Sequence, residues 1–144
     1  MNIMIDANII ISAILFPESV LSKILKHIIL NSEITLSQYT IDEVYKVFNK
    51  KFPHRVNEMK DFIDKLPYEL FSLNEIKVKQ YPNIRDIDDM PVLINAIESN
   101  VDILITGDKD FDEIKIRKPR IMNPRMYFEE YMDKIVKSKR QRDQ

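Results

Sequence analysis

Short apolar runs that end in a polar residue recur along the chain, and they predict the strands of a parallel sheet. Ile3-Met4-Ile5 ends at Asp6, and Ile103-Leu104-Ile105 ends at Thr106-Gly107-Asp108. Strands that are buried on both faces have this near-continuous apolar character instead of strict alternation. Three further strands are predicted at residues 34–36, 69–73 and 120–122.

Between these strands, apolar residues spaced three and four apart predict helices. The helical patterns cover residues 20–28, 41–48, 56–66 and 92–97. Strands that alternate with helices favour an α/β fold, with a mostly parallel sheet covered on both faces. No stretch has the composition of an interdomain linker, so we expect a single domain over residues 1–133, followed by a basic, partly disordered tail over residues 134–144.

Composition limits the chemistry that is open to this chain. Its 144 residues contain no cysteine and two isolated histidines, so a thiolate zinc site is excluded and any metal must be held by oxygen. No apolar run is long enough to cross a bilayer, and the first residues lack the pattern of a secretion signal. The protein is therefore predicted to be cytoplasmic and to have no membrane partner.

The net charge of −1 conceals a segregation of charge along the chain. Residues 84–113 contain nine acidic and two basic side chains, whereas residues 115–144 contain ten basic and four acidic ones. An acidic block followed by a basic one fits a metal site beside a surface that binds a polyanion. Two solvated faces of one domain are the structural alternative.

Acidic residues follow two of the predicted strands at the point where each strand ends. Asp6 comes directly after the first strand, and Asp108 follows the fourth. Ligands of an open parallel sheet bind beyond the carboxyl ends of its strands, so both side chains are expected in one crevice. Glu43, in the helix after the second strand, and Asp88 and Asp89, directly before the last predicted helix, are expected to reach the same edge.

Carboxylates that converge in this way repel one another unless some are protonated or a cation neutralises them. Mg²⁺ and Mn²⁺ prefer oxygen ligands and keep several bound waters, which suits a site with few direct carboxylates. Such an ion lowers the pKa of a bound water and stabilises the charge that develops at a phosphodiester. The pattern therefore predicts hydrolysis of phosphodiester bonds with Mg²⁺ or Mn²⁺ as the cofactor.

Each of these acids also has a purely structural interpretation. Asp88 or Asp89 could cap the following helix, Asp6 and Asp108 could serve turns, and Glu43 could be a solvated helical acid. Their combination at one sheet edge favours the functional interpretation over four separate structural ones.

Several neighbours of these acids are candidates for supporting roles. Asn8 and Ser12 are placed to orient a water or the first aspartate, although Asn8 could instead cap the first helix. Gly107 is the only glycine of the chain and permits a tight turn or a close approach of backbone to ligand. The remaining supporting candidates are Asp88, Thr106 and Asp110, of which Asp110 is more typical of a surface.

The residues at these places resemble the motifs of the PIN-domain family. Asp6-Ala7-Asn8-Ile9-Ile10-Ile11-Ser12-Ala13 resembles its opening strand and helix, and residues 36–44 resemble its second strand and the helix with its acid. Residues 85–89 with the following helix, and residues 103–111, resemble the third and fourth motifs. The resemblance extends in the right order from residue 3 to about 127.

This resemblance implies a PIN-like three-layer α/β/α sandwich, whose mostly parallel central sheet has about five strands. It implies a metal-dependent endoribonuclease similar to the VapC-like toxin components of toxin–antitoxin systems, with RNA as the substrate, a cognate antitoxin as a partner and a homodimer as the assembly. Carried over residue by residue, the catalytic and metal-binding acids are Asp6, Glu43, Asp89 and Asp108. Asp89 is preferred to Asp88 because it lies seven residues before Ala96.

A basic stretch near the end of the chain is the candidate RNA-binding surface, and a solvated loop is its alternative interpretation. Its members are Lys115, Arg117, Lys118, Arg120 and Arg125.

Two other functions compete with a ribonuclease. One is a catalytically inactive PIN scaffold that binds RNA or protein, which the presence of all four acids disfavours. The other is a receiver-like phosphoryl-transfer domain with an aspartate pocket for Mg²⁺. The long helical segment over residues 37–66 does not fit the regular alternation of that fold, so it ranks last.

Overall fold

The computed structural model describes residues 1–73 and 90–133. The described residues form five strands: β1 (Asn2–Ile5), β2 (Glu33–Ser37), β3 (Tyr68–Phe71), β4 (Ile103–Ile105) and β5 (Arg120–Met122). They also form six α-helices: α1 (Ala7–Leu15), α2 (Val20–Asn31), α3 (Gln38–Lys51), α4 (Val56–Lys65), α5 (Met90–Glu98) and α6 (Pro124–Tyr127). Short 3₁₀ turns at Pro53–Arg55 and Lys109–Phe111, and a π-helical turn at Phe128–Met132, complete the set.

The five strands form one sheet in the order β3-β2-β1-β4-β5, and every pairing in it is parallel. The chain adds β2 and β3 on one side of β1 and then returns to add β4 and β5 on the other. The strand order therefore reverses between β1 and β4. In open α/β sheets, the crevice beyond the carboxyl ends of the strands at such a reversal is where ligands bind.

Alternate residues of the strands point to opposite faces of the sheet, and each face has its own apolar core. Ile3 and Ile5 belong to a core that α1, α2, α3 and α4 cover. Met4 and Leu104 belong to a second core, where Leu93 of α5 and its neighbours pack. The predicted three-layer α/β/α sandwich with a five-stranded parallel sheet is thereby confirmed.

All five predicted strands are present, with small differences in their bounds. The third ends at Phe71, where its pairing with β2 ends, instead of continuing to residue 73. Periodicity alone did not predict α1, although the family resemblance did. Six of the nine residues of this helix are buried, so it lacks the polar face on which a helical period depends.

Side-chain caps fix the starts of four helices at the sheet edge and elsewhere. Asp6 caps α1, Ser19 caps α2, Ser37 caps α3 and Asn123 caps α6, each accepting a hydrogen bond from a backbone N–H of the first turn. Asp6 and Ser37 directly follow β1 and β2, so these two strands pass into helices without an intervening loop.

No single helix within residues 1–73 and 90–133 is long and apolar enough to span a membrane. Taken together, α1 and α2 have the length and apolar composition of a membrane span, but the two helices meet at a bend of 114°.

Candidate carboxylate and metal site

Asp6 is held at the point where the strand order reverses. Its backbone N–H donates to the carbonyl of Ile105 at 2.9 Å, which extends the pairing of β1 with β4 by one bond. Its Oδ1 accepts from the N–H of Ala7 at 2.7 Å, and its Oδ2 accepts from the hydroxyl of Thr106 at 2.7 Å. Only 7% of Asp6 is exposed, so this carboxylate is fixed in orientation and largely removed from water.

Thr106 links Asp6 to the second predicted acid. It lies directly after β4, is 3% exposed, and its Oγ1 accepts from the N–H of Asp108 at 3.2 Å while its hydroxyl proton goes to Asp6. One carboxylate oxygen of Asp108 accepts from the N–H of Asp110 at 2.9 Å and starts the 3₁₀ turn. The structure therefore brings Asp6, Thr106 and Asp108 together, as the sequence predicted.

The charges of Asp108 and Glu43 both raise the pKa of Asp6, so both acids lie in the region of Asp6. Burial raises the pKa of Asp6, and the hydrogen bonds from Thr106 and Ala7 offset part of that rise. The negative charges of Asp108 and Glu43 raise the pKa of Asp6 further. An ionised Asp6 is thus disfavoured by its own surroundings, which is what a carboxylate experiences in a cation site without the cation.

The third predicted acid lies outside the described residues. Both Asp88 and Asp89 precede Met90, the first residue of α5, and fall in the range 74–89. The choice of Asp89 over Asp88 therefore stays a prediction.

Metal binding by the described acids would depend on bound water. Within residues 1–73 and 90–133, no three His, Cys, Asp or Glu side chains are close enough to hold a metal ion together. Mg²⁺ is usually bound by one or two carboxylates, with waters in the other positions, so a three-carboxylate cage is not required. The buried, hydrogen-bonded Asp6 with the like charges of Asp108 and Glu43 fits such a hydrated ion.

The structure excludes one alternative for Asn8 and one for Gly107, whereas the supporting role of Asn8 and a close approach of the Gly107 backbone to a ligand stay predictions. The cap of α1 is Asp6, whereas Asn8 is exposed and lies within the helix, so it does not cap it. Gly107 has no positive φ, and a Cβ on it would meet nothing within 4 Å, so neither a special backbone conformation nor a tight packing contact requires glycine there. Ser12 is partly exposed on α1, and Asp110 is partly exposed in the 3₁₀ turn.

The basic stretch lies in and around β5, and its members differ in their partners. Three of them form exposed ion pairs: Lys118 with Asp102 at 3.6 Å, Arg120 with Glu130 at 2.8 Å, and Arg125 with Glu129 at 3.0 Å. Lys115 and Arg117 are exposed and form no ion pair with the described residues. Exposed pairs contribute little to stability, so a polyanion can compete for all five cations.

The double role of Thr106 was not predicted, although Thr106 itself was a supporting candidate. Its signal in the sequence is a hydroxyl residue directly after an apolar strand and two positions before an aspartate. That spacing alone does not predict a contact between the hydroxyl and Asp6, because this contact depends on the pairing of β1 with β4.

The parallel sheet, with acidic residues where its strand order reverses, places this chain among α/β proteins with a candidate metal site. The family model described as PIN domain matches residues 2–110, and the chain belongs to this family. PIN domains are generally nucleases that use divalent metal ions.

A solved structure has the same fold: the crystal structure of VapBC2 from Rickettsia felis bound to a DNA fragment from their promoter. The two chains are 19% identical, and the match covers 85% of this chain and 98% of the other, with a TM-score of 0.66. No curated protein matches this chain in sequence.

Proposed function

We propose that this protein is a metal-dependent endoribonuclease that hydrolyses phosphodiester bonds of RNA, with Asp6, Glu43, Asp89 and Asp108 as its acidic residues. The observation that carries the proposal is Asp6, a buried carboxylate at the sheet reversal, bonded to Thr106 and destabilised by the charges of Glu43 and Asp108. A PIN domain with this arrangement is suited to hold Mg²⁺ or Mn²⁺.

Each described residue has a defined part in this proposal. The N–H of Ala7 and the hydroxyl of Thr106 hold the two oxygens of Asp6 in one orientation, so the carboxylate needs no rearrangement to bind a cation. Asp108 is held by the N–H of Asp110 in the same way. A divalent ion, when bound, supplies Lewis-acid stabilisation and a more acidic water for hydrolysis.

The basic residues around β5 support a nucleic acid as the substrate. Between residues 114 and 128 the chain contains Lys115, Arg117, Lys118, Arg120 and Arg125 and no acidic residue. Their charges would attract the phosphates that flank the cleaved bond, and affinity is then expected to fall steeply with salt.

The similarity in fold to the VapBC2 complex supports a further part of the proposal, that this chain is the toxin of a toxin–antitoxin pair. A cognate antitoxin would then be its protein partner, and a homodimer its own assembly. These two partners, and a cytoplasmic location, stay predictions. Growth arrest on expression, relieved by co-expression of the protein encoded beside it, is the expected outcome.

The test is cleavage of a panel of labelled RNAs by the purified protein with Mg²⁺, Mn²⁺ or EDTA. Three variants remove one acid each: Asp6→Asn, Glu43→Gln and Asp89→Asn. Asp42→Asn is the matched control for Glu43, because Asp42 is the adjacent acid of α3, is exposed, and hydrogen-bonds only Gln38 among the described contacts. Cleavage that needs the metal, is lost in the three variants and persists in the control is the expected result.

Other outcomes separate the alternatives. Metal-independent cleavage that survives Asp6→Asn would come from a contaminating nuclease. A folded protein that binds RNA and cleaves none of the panel would favour the inactive PIN scaffold. Cleavage of DNA in preference to RNA would contradict the substrate class.

A further inference from the structure

A cavity of about 380 Å³ lies beside the carboxylate site. Thr106, which binds Asp6 and the N–H of Asp108, also forms part of the cavity lining. Thr106 therefore separates the cavity from Asp6 by a single side chain, and the cavity volume is within the range of small-molecule sites, roughly 300 to 1,000 Å³. None of the sequence patterns indicated it.

One side of this cavity is apolar. Phe111 is 1% exposed and belongs to the second core, and Ile114, Ile116 and Ile121 are partly buried and pack against the same core. All four line the cavity. The three isoleucines form most of this surface, because Phe111 is almost fully buried behind them, and the face of a nucleobase can pack on them and remove apolar area from water.

The polar lining complements a nucleotide. Arg117 is exposed, lines the cavity and forms no ion pair with residues 1–73 or 90–133. Arg120 also lines it but is held by Glu130 at 2.8 Å. Asn123 uses its Oδ1 to accept from the N–H of Met126, which leaves its amide NH₂ group to donate to a ligand.

We propose that this cavity binds one ribonucleotide of the RNA strand, next to the phosphodiester that is cleaved. The base packs against the apolar side, and Arg117 binds a phosphate. The inference rests on the proposed ribonuclease function, because the position of the cavity beside Thr106 gives it meaning as a subsite. Arg117 and Arg120 outnumber the single acid of the lining, Asp112, and together with the apolar wall they fit a nucleotide, whose phosphate is negatively charged.

The experiment measures nucleotide binding without cleavage, in metal-free protein with EDTA. The probes are the four 5′-ribonucleoside monophosphates and, separately, inorganic phosphate. Methyl NMR of Ile114, Ile116 and Ile121 reports whether each probe enters the cavity. Arg117→Ala removes the proposed phosphate contact, and Lys60→Ala is its charge control, since Lys60 is an exposed cation of α4 that does not line the cavity.

We expect at least one nucleotide to shift the three isoleucine methyl signals. Arg117→Ala should raise its Kd by roughly tenfold, close to the lower end of what a hydrogen bond to a charged group contributes. Lys60→Ala should leave the Kd within about twofold, because a distant, solvent-screened charge contributes little. In RNA cleavage, Arg117→Ala should raise KM and leave kcat unchanged.

Three results would overturn the proposal. One is the absence of shifts from every nucleotide, which would leave the cavity to a protein partner. The second is the same shifts from phosphate alone, since the base would then play no part. The third is an equal loss of affinity in both variants. A protein that cleaves RNA and binds no nucleotide would refute the subsite and leave the nuclease standing. A protein that binds nucleotides and cleaves no RNA would refute the nuclease and leave the nucleotide-binding cavity standing.

Discussion

Thr106→Val tests whether the hydroxyl of this residue holds the carboxylate site together. The change keeps the shape of the side chain and removes the one group that donates to Asp6 Oδ2 at 2.7 Å and accepts from the Asp108 N–H at 3.2 Å. Thr106→Ser is the matched control, because it keeps the hydroxyl and loses only a methyl group.

The expected cost follows from burial and charge. Thr106 is 3% exposed and Asp6 is 7% exposed, so little water can replace the lost bond. A hydrogen bond to a charged group contributes about 1.5 to 3 kcal/mol, which makes about 2 kcal/mol a reasonable value for the valine variant. Loss of one buried methyl group costs about 0.8 kcal/mol by transfer and about 1 kcal/mol with the cavity it leaves, so the serine variant should lose about half as much as the valine variant. At about 3 °C per kcal/mol for a domain of this size, valine should lower Tm by about 6 °C.

The assay is thermal unfolding of the metal-free protein at neutral pH, followed by RNA cleavage as a function of pH. The hydrogen bond from Thr106 lowers the pKa of Asp6, so its loss raises that pKa further. Because the proposed metal site needs ionised Asp6, the acid limb of activity should move to higher pH in Thr106→Val and stay in place in Thr106→Ser. Equal Tm values for the two variants, or a pH profile that valine leaves unchanged, would refute this reasoning.

Three further predictions concern stability and its dependence on pH. In metal-free protein, Asp6→Asn should raise Tm at neutral pH, because the pKa of Asp6 is raised in the folded state. The penalty for ionised Asp6 grows as the pH rises above the ordinary pKa of 3.8 and is complete above the raised folded value, so the gain should shrink as the pH falls through that window; a lower Tm throughout would contradict it. Tyr127→Phe removes the hydroxyl that hydrogen-bonds His27 Nδ1 at 2.8 Å and should cost about 1 kcal/mol in urea unfolding. Burial raises the pKa of Tyr127 to about 12, so the wild type should lose stability from pH 10.0 upward, and a phenylalanine variant with the same alkaline loss would count against this. Asp102→Asn should lower Tm at neutral pH and lower it less in acid. The N–H of Asn2 holds the pKa of Asp102 below its usual range, so the stability from its charge is lost as the pH falls through that value. An equal deficit at both pH values is the contrary result.

The sheet could be predicted from the sequence because its strands are short apolar runs. Buried parallel strands such as β1 and β4 need apolar residues on both faces, and few other elements have this pattern in three or four residues. The helix α1 could not be predicted from periodicity, since burial on most of its sides removes the polar positions that reveal a helix. Local patterns thus predict amphipathic helices better than fully buried ones.

The acids of the site could be predicted because topology brings strand ends together. Asp6 and Asp108 were expected at one crevice from their positions after β1 and β4, and the structure places them on the two sides of Thr106. The bond from Thr106 to Asp6 could not be predicted, because it depends on the register in which Ile5 pairs with Ile105. Strands that are apolar on both faces lack the alternation that specifies register, so the residues around Thr106 alone do not reveal it.

The turn at Gly107 does not use the special conformation that only glycine adopts easily. A lone glycine beside an acid is typical of a turn that needs a positive φ, or of a close approach of the backbone to a ligand. Gly107 has no positive φ, and the turn after β4 is instead fixed by Asp108, which caps the 3₁₀ turn with its own side chain. A polar cap and a glycine are alternative ways to stabilise the same turn.

Asp6 has a place in both the fold and the proposed chemistry, and its hydrogen bonds allow the two to be separated. As the cap of α1 it accepts from Ala7, a contact that the side-chain oxygen of asparagine can also make. As a candidate ligand it needs a negative charge, which asparagine lacks. Asp6→Asn is therefore expected to keep the helix start, relieve the repulsion from Glu43 and Asp108, and remove cation binding. A variant that is more stable and inactive would mean that the site stores destabilising charge which only a bound cation offsets.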